Sequence, residues 1–177
     1  MYHNTPTLLA LGSGLLLARV VGLLMAAHGA QKLFGWFGGH GLTKTGEFFA
    51  YLGFHPGKAF ATAAALGEFG GGLLVALGLL GPVGPALVTS VMVVAMITVH
   101  RTHGLFASDN GIEVPLLYMT AMLGLVLTGY GPYSLDAWLG IAGRWTPEIT
   151  GIVVGMGVLG GLANVAIRRP PPTTARA

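Results

Sequence analysis

"AFATAAALGEFGGGLLVALGLLGPVGPALVTSVMVVAMITV", residues 59–99, contains one ionisable side chain, Glu68. A membrane-crossing helix needs about 20 mostly apolar residues. This stretch supplies two, Ala59–Leu80 and Val83–Val99, with only Gly81–Pro82 between them. So short a connection reverses the chain, and a proline is tolerated at the start of the helix that follows. The two segments are therefore antiparallel neighbours in an all-α membrane protein.

Three further apolar runs extend this hairpin. Leu8–Ala27 precedes it, interrupted by Ser13 and Arg19, and Val114–Tyr130 follows it, opened by Glu113. The last run, Ile149–Ile167, is rich in glycine, which weakens helices in water but is common in membrane helices. The whole composition agrees: 53% of residues are hydrophobic and 8% charged, with a mean hydropathy of +0.73. Soluble domains carry about 25% charged residues, so this chain has too few to cover itself in water. "MYHNTP" at the amino terminus lacks the positive region of a secretory signal, and the run behind it is long for one; it reads as a retained span. The expected fold is a polytopic helical bundle of one domain, residues 1–168, with spans 8–27, 59–80, 83–99, 114–130 and 149–167. A disordered, proline-rich tail follows at 169–177.

Charge and cysteine content exclude several functions. The net charge of +3 is spread along the chain, without the dense basic stripe that nucleic acid requires. There is no cysteine, so the chain itself carries no disulfide, thiolate metal ligand or thiol redox chemistry. With five spans, Lys32, Lys44, Lys58, Arg101, Arg168, Arg169 and Arg176 fall on one side of the membrane and only Arg144 on the other, with Arg19 inside it. The basic side is cytoplasmic, which places the amino terminus outside and the carboxyl terminus inside.

Between the first two spans, "TKTGEFFAYLGF" (residues 43–54) reads either as an amphipathic piece, with Phe48, Phe49 and Leu52 at the membrane interface, or as a connector with buried aromatics. On the outer side, Tyr130, Tyr133, Trp138 and Trp145 suit an aromatic belt. The spacings Gly67–Gly71 and Gly151–Gly155 offer small-residue faces for close helix contact, and a homo-oligomer is compatible with them.

Two ionisable residues lie well inside spans. Arg19 is about 12 Å from the cytoplasmic end of its span, and Glu68 about 13.5 Å from the start of its own, at 1.5 Å per residue. Equal depth on antiparallel helices predicts an intramembrane ion pair, Arg19–Glu68, which neutralises two otherwise costly charges. It reads either as a structural clamp or as the polar floor of a ligand or proton path. The same counting gathers His28, Lys32, His100, His103 and Glu113 at a cytoplasmic mouth. These residues suit ligand binding or proton transfer, and equally mark the water boundary. No dense motif such as HExxH supports a metal site, and no catalytic residue is assigned.

Taken in order, Arg19, "HGAQKLFG" (28–35), "GEFGGGLLVALGLL" (67–80), "MVVAMITVH" (92–100), "EVPLLY" (113–118) and "GYGPYSLD" (129–136) resemble the DoxX family of small bacterial membrane proteins. That resemblance implies a four-helix membrane core, with the last span as an addition, in a bacterial plasma membrane. It also implies redox associations. Relatives are tied to a thiosulfate:quinone oxidoreductase, and some to an oxidative-stress complex containing a superoxide dismutase and a sulfurtransferase-like protein. Two readings stay open: a non-catalytic scaffold that docks cytoplasmic redox enzymes, or a quinone-binding subunit using Arg19, Glu68 and the mouth histidines. With no haem-attachment motif and no nucleotide-binding fingerprint, the chain is not read as an enzyme on its own.

Overall fold

The structure, a computed structural model, describes residues 5–169, with side chains from Leu16 onward. Seven α-helices account for most of it: α1 (Thr5–Phe34), α2 (Gly41–Tyr51), α3 (Gly57–Leu77), α4 (Val83–Ala95), α5 (Glu113–Thr128), the short α6 (Leu135–Trp138) and α7 (Pro147–Ile167). No strand occurs among the described residues. Local chemistry explains the boundaries. Gly78 ends α3 in the left-handed conformation, φ 62°, where a side chain would be strained. Thr146 caps α7 by accepting the Ile149 N–H at 3.4 Å, and Pro147 occupies its first turn.

α3, α4 with its continuation to His103, and α7 are each 21 residues long and apolar enough to cross a membrane. α5 is also apolar but shorter. α1 is ten residues longer than the expected span 8–27 and continues past His28 and Lys32. The sequence around the expected stop, "MAAHGAQKLF", is full of good helix formers, and leaving the hydrocarbon does not oblige a helix to end.

α4 is the hub, packing against α3, α5 and α7, while α1 lies along α3. The buried centre comprises Ala18, Met25, Val75, Val88, Met92, Met122 and Leu125. Much of the outer surface is apolar: Leu16, Leu23, Leu117, Leu127, Ile152 and Leu159 are all more than half exposed. So large an apolar exterior suits acyl chains rather than water.

Close helix contact depends on small residues, though not on all those expected. Gly67 and Gly71 face Val91 and Leu87 of α4, as the spacing suggested. Gly151 and Gly155 meet nothing within 4 Å, and it is Gly157 and Gly161 that press on Ala86 and Ser90. The backbone of Arg169 donates to the Gly53 carbonyl at 2.8 Å, so the end of α7 sits beside the α2–α3 connection. The expected disordered tail lies, beyond Arg169, outside the described residues.

Candidate functional site

The site grows from the contact between α1 and α3. A Cβ on Gly22 would lie 2.5 Å from the Ala76 nitrogen, one on Gly72 would lie 2.5 Å from the Ala26 nitrogen, and one on Gly29 would lie 2.4 Å from the Phe69 nitrogen. These approaches fix an antiparallel register in which Glu68 is level with the helical turn that carries Ala30 and Lys32. Lys32 Nζ accordingly donates to Glu68 Oε1 in a salt bridge.

This corrects the expected Arg19–Glu68 pair. Arg19 lies about 16 Å further along α1 from the level of Glu68, at 1.5 Å per residue. Its Nη2 reaches instead the Tyr133 carbonyl at 3.4 Å, at the opposite end of the bundle. The depth estimate took α1 to leave the membrane at Ala27. Because the helix continues, Lys32, expected at the cytoplasmic mouth, is the cation that meets Glu68.

Glu68 is 1% exposed, and its Oε2 has no hydrogen-bond partner among the described residues. Tyr118 of α5 packs against the buried centre. His28 stands edge-on to Tyr118, with ring centroids 6.0 Å apart.

Beside Lys32 opens a cavity of about 510 Å³. Phe48, Phe49 and Leu52 of α2 and the following turn form one wall, Phe60 and Ala64 of α3 another, and Leu87, Val91 and Val94 of α4 a third. Its polar lining includes Lys32, His40, Lys44, His100 and Asn164, together with Gln31, Thr45, Ser90 and Thr98, and no carboxylate is among the residues that line it. Thus α2, legible as amphipathic, sets Phe48 and Phe49 along the cavity, while its Tyr51 stays exposed. α4 changes to a π-helical turn over Met96–His100, and Thr98, Val99 and His100 of that turn line the cavity. Such turns recur at functional sites.

The expected mouth therefore does not assemble as one cluster. Lys32 and His100 line the cavity, and His100 Nδ1 is 2.7 Å from the Asn110 carbonyl. His28 points to Tyr118. His103 Nδ1 bonds back to the Val99 carbonyl at 2.9 Å, and Glu113 caps its own loop by accepting the Ala107 N–H at 2.7 Å. Among the described residues, no three His, Asp or Glu side chains are grouped to hold a metal. Sequence reasoning missed Asn164, although a lone amide inside an apolar span is a recognisable signal.

At the opposite end, Asp136 forms a second polar centre. It is 2% exposed and accepts from the Leu80 N–H at 2.8 Å, the Gly81 N–H at 2.7 Å and Trp145 Nε1 at 2.7 Å. This ties the α3–α4 turn to the loop before α7, and the half-buried Trp145 clamps that turn. Trp138, at 81% exposure, is free to serve the belt.

The DoxX family model matches residues 14–101. The chain belongs to the DoxX family. The match runs from within α1 to the end of the π-helical turn and so contains the Lys32–Glu68 pair and most of the cavity. The "EVPLLY" and "GYGPYSLD" segments lie beyond it. No curated protein and no solved structure matches the chain significantly. This DoxX protein is a membrane protein, and α3, α4 with its continuation to His103, and α7 are each long and apolar enough to cross a bilayer.

Proposed function

We propose that this DoxX protein is a membrane subunit that holds a lipid-soluble, quinone-like molecule for a redox complex. The observation that carries this reading is the cavity of about 510 Å³, walled by Phe48, Phe49, Leu52 and Phe60 and lined also by Lys32, Lys44 and His100. Ligand sites are commonly clefts of about 300–1,000 Å³ with apolar walls and a few polar groups. The residues fit a quinone: the aromatics suit its ring, and Lys32, Lys44 and His100 can donate hydrogen bonds to its carbonyl oxygens. When bound, a quinone supplies two-electron chemistry that this chain's own side chains lack. The chain binds and orients, and its redox partners catalyse. A pure scaffold, docking those partners through its cytoplasmic loops, would have no use for such a cavity.

The orientation proposed is amino terminus outside and carboxyl terminus in the cytoplasm of a bacterial cell. Lys44, Lys58, Arg101, Arg168 and Arg169 cluster at the α2 end of the bundle, whereas Arg144 and the Arg19 contact lie at the other, which supports this assignment.

The test is purification in mild detergent followed by extraction and identification of bound lipid. Stoichiometric quinone in the wild type, lost in an Ala64→Phe variant that fills the cavity and keeps its helical circular dichroism, is the expected result. Co-purifying redox enzymes with no bound quinone in either protein would favour the scaffold.

A further inference from the structure

The Lys32–Glu68 pair has an asymmetry that a structural clamp does not need. Lys32 has one side on the cavity, whereas Glu68 does not line it. Glu68 is buried, bonded through Oε1 only, and its Oε2 is without a partner among the described residues. The cavity lining carries Lys32, Lys44, His40 and His100 and no carboxylate, so its field favours a ligand whose polar end is negative. Resting on the ligand-site reading above, we propose that the cavity takes an amphipathic anion of the ionised-hydroxyquinone type, and that binding it transfers Lys32 from Glu68 to the ligand while Glu68 takes up one proton.

The physical reason is charge conservation in a poorly solvated place. Before binding, one ammonium and one carboxylate neutralise each other. An anion that captures the ammonium leaves the Glu68 carboxylate buried without a counter-ion, a state that proteins avoid by protonating the group. The partnerless Oε2 is where the proton is added, with water as its source. No bond in the ligand is made or broken, and no electron moves. The sign follows from linkage: a complex that holds one proton more than its free components binds more weakly as pH rises.

Other titratable groups near the pair are Lys32 itself and His28 on α1, Tyr118 on α5, His40 and Lys44 at α2, and His100 on the π-helical turn. Arg19 and Asp136 lie at the far end. The measurement is made between about pH 7.5 and 9, between the ordinary ranges of free histidine and lysine, and the Glu68→Gln variant assigns the proton taken up to Glu68.

Full-length protein in lipid nanodiscs is titrated by calorimetry with two probes: 2-methyl-1,4-naphthoquinone, which is neutral, and a 3-alkyl-2-hydroxy-1,4-naphthoquinone, which is ionised throughout that range. Buffers of differing ionisation heat report the protons taken up. In the wild type the anionic probe is expected to bind with uptake of about one proton, and its Kd to weaken by up to about tenfold per pH unit. Glu68→Gln should bind the same probe without proton uptake and with a flat pH profile. The double variant Lys32→Met/Glu68→Gln, which leaves no unpaired charge at this position, should lose at least about tenfold in affinity for the anion and much less for the neutral probe. Anion binding without proton uptake, or uptake that persists in Glu68→Gln, overturns the inference while leaving the ligand site standing. Failure of both probes to bind overturns the ligand site as well.

Discussion

Lys32 and Arg19 are both cations on α1, and their different fates give a test of the pairing. Lys32→Met leaves a carboxylate 1% exposed with no counter-ion, a loss that commonly costs about 3–5 kcal/mol. Adding Glu68→Gln removes that charge and should restore most of the stability. Thermal unfolding in detergent measures both, and a double variant no more stable than Lys32→Met would refute the pairing. Arg19→Leu, which loses one long hydrogen bond to a backbone carbonyl, should change the melting temperature little. Asp136 is the other costly residue. Asp136→Ala strands two backbone N–H groups and the Trp145 indole, and each unsatisfied buried donor costs about 1–3 kcal/mol. A melting point indistinguishable from wild type would show that the α3–α4 turn does not depend on this carboxylate.

Among the elements, the α1–α3 pair positions the site, and its register rests on glycines that let the two backbones touch. A methyl group on Gly72 would meet Ala26 N and Gly22 O, both at 2.5 Å, and neither can move without separating the helices. Gly72→Ala should therefore cost about 1–3 kcal/mol, the usual range for overpacking. Gly70, on the same helix, has nothing within 4 Å of its would-be Cβ. Gly70→Ala should be neutral or stabilising, because alanine favours helix by about 1 kcal/mol. Comparing the two variants by membrane accumulation and thermal shift separates a packing effect from a general intolerance of substitution. α2 needs the same kind of account. Its aromatics were legible as one face of an amphipathic segment, but whether that face met lipid or protein was not. It lies along the cavity shared with α3 and α4, because the chain after Phe34 turns back and lays α2 against α3, and Phe48 there keeps 45% exposure.

At the scale of the molecule, α1, α3, α4, α5 and α7 alternate in direction, and α7 ends beside Gly53 through the Arg169 N–H. The start of α1 lies at the opposite end of that 30-residue helix. In the topology proposed above, five crossings place the termini on opposite faces, and the distribution of basic residues directs the carboxyl terminus inward. Reporter fusions after Ala177 and within the 104–111 loop should both score cytoplasmic, and a fusion before Tyr2 should score external. A periplasmic signal from the carboxyl-terminal fusion would remove α7 from the set of spans.

Hydropathy and run length are local properties, so Ala59–Leu80, Gly81–Pro82 and Val83–Val99 were enough to establish an all-α membrane bundle with an antiparallel hairpin at its centre. The ordered motifs from Arg19 to His100 were likewise enough to indicate the DoxX family, since each is a short contiguous string. The partner of Glu68 was not available in the same way. It depends on how far α1 continues past the hydrocarbon and on which residues of α1 and α3 touch, both set by contacts such as Gly22–Gly72 between residues distant in the chain. Counting depth from an assumed helix end made Arg19 the partner, whereas helix continuation and glycine packing made it Lys32. The cavity is further still from local sequence, because its walls come from α2, α3 and α4 with Asn164 of α7, and no single segment carries its shape.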